Sequence, residues 1–320
     1  MESFTIILKR KLITKKDLEK KIIDKNKWDG KTKGSFSGIK IFIYIIKKLG
    51  LSSAYLLLFF VAFWFAIFSR KGSKAQFYFF RERLKYTFLK SLISVYKNNF
   101  ILGQILIDKI AILSGLKHKF TTEHTNSEVI ENMIKNQTGG ILVNAHIGSW
   151  EIAGQLLERY NGKVYLIMLV AEHEKIKELF SSVTEQKIEI IPIEEDGTHL
   201  LKINKVLENK GIIAMHGDRF VEGAQIIKQK FLGKDAFFPT GPFRLAAKYN
   251  VPISFATAFR EKKRHYHFFA MKPIYVKNPG NLKKRKEEIN KSIKVYLSEL
   301  EKMIKKYPLQ WFNYYQFWEQ

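Results

Sequence analysis

Short apolar runs alternate with amphipathic stretches from about residue 140 onward, and this alternation constrains the fold most strongly. The apolar runs have the length of strands and cover residues 141–146, 164–170, 188–193, 211–218, 251–259 and 266–276. Helical patterns lie between or after them, at 150–159, 173–182, 198–208, 240–249 and about 281–306. Strands that alternate with helices predict an α/β fold with a mainly parallel sheet that is flanked by helices.

The first part of the chain has a different character. Residues 51–68 read LSSAYLLLFFVAFWFAIF and carry no charge, with lysine or arginine on both sides. This length is close to the ~20 residues that span a bilayer, so we predict a membrane helix. The flanking charges do not orient it, and it either spans the membrane or lies in one leaflet. The alternative is a buried helix of a soluble protein. Residues 76–117 are predicted to be helical as well.

We therefore divide the 320 residues into three parts. A basic extension covers residues 1–39, a membrane-anchoring helix lies within 40–75, and the α/β domain covers 76–320. Residues 1–48 are too long and too charged for the n-region of a secretory signal, and no small-residue cleavage site follows the apolar run.

The net charge of +25, from 55 Lys and Arg against 30 Asp and Glu, indicates the partners rather than the fold. Nucleic acid, anionic lipid headgroups and an acidic carrier protein all fit this charge, and a lysine-rich proteome is the alternative explanation. The chain has no cysteine, which excludes disulfides, a thiolate nucleophile and cysteine metal sites.

One strand end carries a candidate catalytic pair. The predicted strand at 141–146 ends in His146, Gly148 permits a tight turn, and Ser149 is a plausible helix N-cap. Glu151 then lies in the first helical turn, close enough to fold back towards the imidazole. A histidine with a carboxylate partner is a suitable general base. The alternative is a strand-end histidine that is satisfied by the backbone.

The His-x4-Glu spacing is not specific by itself, since it also joins His118 to Glu123 and His173 to Glu178. The first of these pairs lies in a polar stretch and the second in a charged helical run. We interpret both histidines as solvated surface residues. Only His146 ends an apolar strand before a glycine turn.

Two further segments carry polar residues at predicted element ends. The strand at 211–218 leads into His216, Asp218 and Arg219, which suits either a site or an ordinary strand exit. A turn at 239–242 leads into a helix that Thr240 would cap, and the amides near Gly241 would face an anion. No serine stands in a Gly-x-Ser-x-Gly turn, so direct attack of an acceptor on a thioester is expected rather than a covalent acyl-enzyme.

Together, the ordered motifs resemble the late lipid A biosynthesis acyltransferases, the lauroyl and myristoyl transferases of Gram-negative bacteria. The resemblance covers roughly residues 28–318 and rests on several segments. These are His-x-Gly-x-x-Glu at 146–151, Gly-Asp-Arg at 217–219, Phe-Leu-Gly at 231–233, Pro-Thr-Gly-Pro at 239–242 and Pro-Leu-Gln-Trp-Phe at 308–312.

The resemblance implies a glycerolipid-acyltransferase-like fold with an inner-membrane anchor and a catalytic domain on the cytoplasmic face. It implies acyl carrier protein or coenzyme A thioester as the acyl donor, a lipid A precursor as the acceptor, and His146 with Glu151 as a charge-relay pair. Substrate binding is expected at the following residues: Gly148, Asp218, Arg219, Thr240 and Gly241. Neither a metal site, a bound cofactor nor a nucleic-acid partner is expected.

The chain departs from the family at two places. The usual His-Arg-Arg-Trp-like tail is replaced by Asn-Tyr-Tyr-Gln-Phe-Trp at 313–318, and no basic residue stands at 170–173. These departures leave open the same chemistry on another acceptor, such as an aminolipid, a glycolipid or a polyene pigment. A non-enzymatic basic protein, tethered to a membrane and binding nucleic acid or anionic lipid, is the alternative from a different functional class.

Overall fold

The computed structural model of the chain describes residues 36–157, 164–169, 188–194, 196–220 and 223–318. Most of the predicted extension at 1–39 lies outside these residues. The helix predicted at 173–182, which includes His173, lies wholly outside them. The boundaries drawn at 39 and 75 stay predictions.

Four helices form the first part of the described chain: α1 (Phe36–Leu49), α2 (Leu51–Phe68), α3 (Arg70–Tyr78) and α4 (Phe88–Leu113). By length and composition, α2 is apolar enough to cross a membrane, and 28% of it is buried against the rest of the protein.

The helical prediction for residues 76–117 is confirmed in large part, but a π-helical turn at Phe79–Arg83 and a non-helical stretch separate α3 from α4. Lys85 in this stretch has a positive φ of 58°, and the Thr87 hydroxyl accepts the Lys90 amide at 3.4 Å to begin α4. The four-residue spacing was misleading since Phe80 is fully buried whereas Phe88 is exposed, so the two do not share one helical face.

The rest of the chain alternates strands with helices. The strands are β1 (Thr121–Thr125), β2 (Gly140–Asn144), β3 (Val164–Leu169), β4 (Ile188–Ile193), β5 (Ile212–His216), β6 (Ile226–Phe231), β7 (Lys234–Pro239), β8 (Ile253–Lys262) and β9 (His265–Ala270). The helices are α5 (Glu128–Lys135), α6 (Trp150–Leu157), α7 (Thr198–Glu208), α8 (Gly241–Tyr249) and α9 (Leu282–Lys306). Short 3-10 turns occur at Leu116–Lys119 and Pro308–Gln310.

Seven strands form one sheet in the order β1-β9-β8-β2-β5-β3-β4. The strands from β8 to β4 are all parallel, β9 runs antiparallel to β8, and β1 is parallel to β9. The mainly parallel sheet with flanking helices is therefore confirmed. A separate hairpin, β6–β7, turns at Leu232 and Gly233, both with positive φ, as a two-residue hairpin turn requires.

Both faces of the sheet are covered, so its central strands are buried on both sides. On β2, Val143 belongs to one cluster with α8, α9 and the C-terminal segment, and Leu142 belongs to another with α4, α5 and α6. Successive side chains of a strand point to opposite faces, which explains why β2 is buried throughout and carries an uninterrupted apolar run rather than an alternating pattern.

Candidate active site

The two polar strand ends singled out in the sequence form one site. β2 and β5 are adjacent and parallel, with Asn144 opposite His216, so the residues that follow each strand meet at the same sheet edge. The amide of Gly217 donates to the Asn144 carbonyl at 2.8 Å and ties the two exits together. The carboxyl ends of parallel strands are where α/β proteins place their ligands.

His146 is held by Asp218 through two kinds of contact. The backbone amide of His146 donates to Oδ2 of Asp218 at 2.8 Å, and the imidazole Nδ1 lies 3.0 Å from Oδ1. Asp218 is fully buried, with both oxygens directed at His146. In this arrangement Asp218 fixes the backbone, the ring orientation and the tautomer of His146, and its contact with a substrate stays a prediction.

The electrostatics keep His146 neutral and Asp218 charged. Burial, followed by the nearby positive charge of Arg219, lowers the pKa of His146 below its ordinary value, while Asp218 and Glu151 oppose the shift. Burial alone would raise the pKa of Asp218, but its contact with His146 and the charge of Arg219 hold that pKa well below the usual range. A neutral imidazole beside a carboxylate is equipped to accept a proton.

Glu151 has a different set of described partners. Its carboxylate accepts from Lys109 Nζ at 3.1 Å and from the Ser149 hydroxyl at 3.2 Å. Ser149 also accepts the Ile152 amide at 3.3 Å, which confirms it as the N-cap of α6. Glu151 lies close enough to raise the pKa of His146 by its charge. Its assignment as the partner of the imidazole stays a prediction, since the described partner of Nδ1 is Asp218.

The turn between β2 and α6 requires a glycine. Gly148 has a φ of +64°, and a Cβ there would lie 2.4 Å from the Ala258 carbonyl oxygen. Its amide donates to the Gln310 carbonyl at 2.9 Å. The tight turn is confirmed, whereas contact of Gly148 with a substrate stays a prediction.

Arg219 joins the site to the C-terminal segment. Its guanidinium donates to the Phe312 carbonyl at 3.2 Å and lies 5.4 Å from the ring centroid of Tyr315. The Phe312 amide donates to the His146 carbonyl at 2.7 Å. The C-terminal segment therefore lies against both strand ends, with Phe312 on His146 and Tyr315 beside Arg219.

His216 stacks on His146, with ring centroids 4.2 Å apart and planes 22° apart. Burial and the neighbouring His146 lower the pKa of His216 to about 3, so it is neutral. Nitrogen and oxygen atoms of His146, His216 and Asp218 lie within 4.8 Å of one another, which is close enough to consider a metal ion. A metal ion that is bound by an imidazole lies near the plane of that ring. The rings of His146 and His216 are stacked nearly in parallel, so their two planes do not meet close to either ring and one ion cannot lie in both. The arrangement does not fit a metal.

The predicted turn at 239–242 and the surface histidine His118 lie away from this site. Thr240 occupies the N-cap position of α8 as predicted, but its hydroxyl makes no capping hydrogen bond and instead donates to the Gln225 carbonyl at 3.0 Å. A Cβ added at Gly241 would meet no atom within 4 Å. The anion site predicted at Thr240 and Gly241 stays a prediction. His118 is exposed in a 3-10 turn, as expected for a surface residue.

Sequence reasoning missed Lys109. It lies on α4, is buried, and makes the ion pair with Glu151 described above. The available signal was the adjacent pair Asp108-Lys109 inside the apolar run 105–113. A buried lysine or aspartate is rare unless it is paired, so such a pair within a core-facing helix indicates partners elsewhere in the fold.

A cavity of about 740 Å³ opens at the opposite edge of the sheet, near the start of β3, β4 and β5. Tyr165, Lys202 and Gly211 are among the residues that line it. None of the predicted site residues does so.

Three comparisons with known proteins add to this geometry. The sequence model of a family described as "Bacterial lipid A biosynthesis acyltransferase" matches residues 90–320. No curated protein matches the chain. Among solved structures, the 1-acyl-sn-glycerophosphate (LPA) acyltransferase PlsC from Thermotoga maritima is similar at 15% identity, over 77% of this chain and 97% of that one, with a TM-score of 0.36. A TM-score of this size supports no conclusion about activity.

Proposed function

Since this chain belongs to the family of bacterial lipid A biosynthesis acyltransferases, we propose that it moves a fatty acyl chain from an acyl thioester to a hydroxyl of a lipid A precursor. The chain is an acyltransferase that acts on lipid, so the interpretation as a non-enzymatic binding protein is wrong. The hydrogen-bonded pair of His146 and Asp218, at the carboxyl ends of two parallel strands, is the observation that carries the proposed mechanism.

The first step is proton transfer to His146. With Nδ1 engaged by Asp218, Nε2 is the nitrogen that accepts the proton of the acceptor hydroxyl. The imidazole side chain is 19% exposed, which suits a base that a substrate must reach. The imidazolium that forms is stabilised by the buried charge of Asp218 and, through space, by Glu151.

The acceptor oxygen then forms a bond to the thioester carbonyl carbon, and the tetrahedral intermediate collapses with cleavage of the carbon–sulfur bond. The leaving thiolate takes the proton from the imidazolium, so that His146 is neutral again. No covalent acyl-enzyme is needed, in keeping with a chain that has no cysteine.

Arg219 is proposed to hold the acceptor. It is partly exposed beside His146, and lipid A precursors carry phosphate groups that a guanidinium binds well. The predicted contacts of Gly148, Thr240 and Gly241 with the substrates belong to the same proposal.

The donor is proposed to be acyl carrier protein or coenzyme A thioester. The net charge of +25 supports docking of an acidic carrier by electrostatic attraction. No bound cofactor and no nucleic acid enter the proposal. We place the enzyme at the cytoplasmic face of the inner membrane, and the apolar helix α2 supports the contact with a membrane.

A second acceptor class is supported by one observation. The segment 313–318, which departs from the usual family tail, lies beside Arg219 through Tyr315. A changed residue next to the acceptor-binding arginine favours an altered acceptor, such as an aminolipid, another glycolipid or a polyene pigment. The acyl-transfer chemistry would be unchanged.

Mass spectrometry of total lipids separates these acceptors. Cells with and without the gene are compared, and the deletion is complemented with the natural protein or with His146→Ala. The proposal expects one lipid class to lose a mass equal to one acyl group in the deletion and in the His146→Ala strain. A lipid profile that is identical in all strains would contradict it.

A further inference from the structure

Helix α2 has two apolar faces with different surroundings. One face is buried against the protein and consists of Leu51, Ala54, Tyr55, Leu58 and Ala62. The other is exposed and consists of Leu56, Phe59, Phe60, Phe63, Trp64, Ile67 and Phe68. A helix on the surface of a soluble domain carries polar residues on its outer side, so this exposed face requires an apolar environment.

α2 lies along α4 in the antiparallel direction. Tyr55, in the second turn of α2, donates its hydroxyl to Asp108, near the C-terminal end of α4. Phe63, two turns further along α2, contacts Tyr96 near the beginning of α4, with ring centroids 6.4 Å apart. The two helices are therefore in contact over most of the length of α2.

Polar contacts bind this helix pair to the sheet. Asp108 is fully buried and accepts hydrogen bonds from Tyr55, from Tyr266 on β9 at 2.6 Å and from Arg260 on β8 at 2.9 Å. Lys109, the next residue, holds Glu151 beside the active site. If α2 spanned a bilayer, α4 and its buried charges would enter the hydrocarbon with it, which is costly.

One end of the helix pair is apolar on the outside. We define the apolar tip as the exposed apolar residues of α2 from Phe59 to Phe68 together with those of the first two turns of α4. The latter are Phe88, Leu89, Leu92 and Ile93. Because the helices are antiparallel, the end of α2 and the beginning of α4 lie at the same end of the helix pair, which places both sets there.

Exposed basic residues follow α2 along the chain and lie within and before the first turns of α4. The exposed ones are Arg70, Lys71, Lys74, Arg81, Lys85, Lys90 and Lys97. Glu82 is the only acidic residue of the chain between positions 69 and 97. An apolar surface accompanied by basic residues is complementary to a bilayer with anionic headgroups.

We propose that the apolar tip inserts into one leaflet of an anionic bilayer and that α2 does not cross it, so that both ends of α2 stay on the same side. The inference rests on the proposed function only in taking a lipid membrane as the partner. At ~1.5 Å per residue, α2 is about 27 Å long, slightly shorter than the ~30 Å hydrocarbon core.

Insertion of the apolar tip would bring the active site to the membrane surface. Asn98 on α4 donates to the Trp311 carbonyl at 3.0 Å and accepts from Tyr314 at 2.9 Å. The backbone amide of Phe312, which follows Trp311 in the chain, donates to the His146 carbonyl. The same C-terminal segment thus contacts both the helix that carries the apolar tip and the base, so a lipid acceptor need not leave the leaflet to reach His146.

The first experiment measures the sidedness of the two ends of α2. The chain has no cysteine, so Lys47→Cys and Lys71→Cys each give one reactive thiol in an exposed position. A membrane-impermeant maleimide is applied to spheroplasts and to inverted membrane vesicles, and detergent-treated samples give full labelling. Both thiols are expected to react from the same side. Labelling from opposite sides, or protection of either thiol on both sides, would overturn the proposal.

The second experiment identifies the inserting surface. The full chain is diluted from detergent into phosphatidylglycerol vesicles and separated by flotation. Leu89→Glu combined with Leu92→Glu is expected to weaken vesicle binding at least about tenfold, since each leucine loses its burial in lipid. The matched control combines Leu200→Glu with Leu201→Glu, two exposed leucines on α7, and should bind as the natural chain does.

Equal binding of both pairs, with folding checked by circular dichroism, would overturn the assignment of the apolar tip. Neither experiment measures acyl transfer. Their failure would therefore leave the proposed function standing, and loss of acyl transfer in His146→Ala would not depend on them.

Discussion

Replacing Asp218 by asparagine should disable His146 while leaving its position nearly unchanged. In the natural protein, Oδ2 of Asp218 accepts the His146 amide at 2.8 Å and Oδ1 faces Nδ1 at 3.0 Å. The asparagine oxygen must keep the backbone amide as its donor, so the NH₂ group faces Nδ1 and donates to it. The imidazole proton is then held on Nε2, which is the nitrogen needed as the base.

The expected loss follows from this change of tautomer. A base that carries its proton on the wrong nitrogen is nearly inactive, and general-base catalysis contributes about 10²–10⁴ in rate. We expect kcat to fall by about that factor. The combination with His146→Ala should be little worse than His146→Ala alone, because the two residues act as a unit.

The comparison with Glu151→Gln makes this test selective. Glutamine keeps an oxygen for the Ser149 hydroxyl and loses mainly the ion pair with Lys109, so its effect on kcat should be smaller. The assay is acyl transfer from acyl carrier protein to a lipid A precursor by the full chain in detergent, with folding checked by circular dichroism. A folded Asp218→Asn protein that is less impaired than Glu151→Gln would refute the reasoning and make Glu151 the partner of His146.

Three further predictions follow from the same contacts. Because the pKa of His146 is lowered, kcat/KM should fall only below pH 6.5 on the acidic side of its pH profile. Arg219→Gln removes a positive charge beside His146, so it should raise that pKa and move the acidic limb to higher pH. An acidic limb that stays in place or moves to lower pH would contradict this. Lys109→Met should lower the free energy of unfolding by about 3 kcal/mol, because it leaves Glu151 without its buried cation. This value is at the lower end of the range for a broken buried ion pair, since Glu151 is 21% exposed. Urea titration in detergent measures the loss, and an unchanged unfolding midpoint would contradict the prediction. His118→Ala should leave activity unchanged, and a hundredfold loss would show that the wrong histidine was chosen.

The strands and helices that carry the site can be predicted from the sequence, because their apolar residues follow strand-like runs or helical spacing. The apolar run at 141–146 became β2, the run at 211–218 became β5, and the charged stretch near 281–306 became α9. The polar strand β1 could not be predicted, since Thr121–Thr125 has no apolar pattern and is stabilised by pairing with β9 at the sheet edge.

The sequence also predicts some of the residues that form the site. Two strand ends were identified separately, but their meeting depends on β2 and β5 being neighbours in the sheet, which a single sequence does not specify. Glu151 was paired with His146 because they are close in sequence, and the structure supplies a partner from 72 positions away. Local spacing favours neighbours along the chain, whereas a parallel sheet brings together residues that are distant in sequence.

The central claim is that His146 is the base of acyl transfer to a membrane lipid. The most direct measurement is mass spectrometry of total lipids from a deletion strain that expresses either the natural protein or His146→Ala at equal, membrane-associated levels. The account predicts that only the natural protein restores a lipid species heavier by one acyl group. Restoration of that species by His146→Ala would contradict it and return His146 to a structural role at the end of β2.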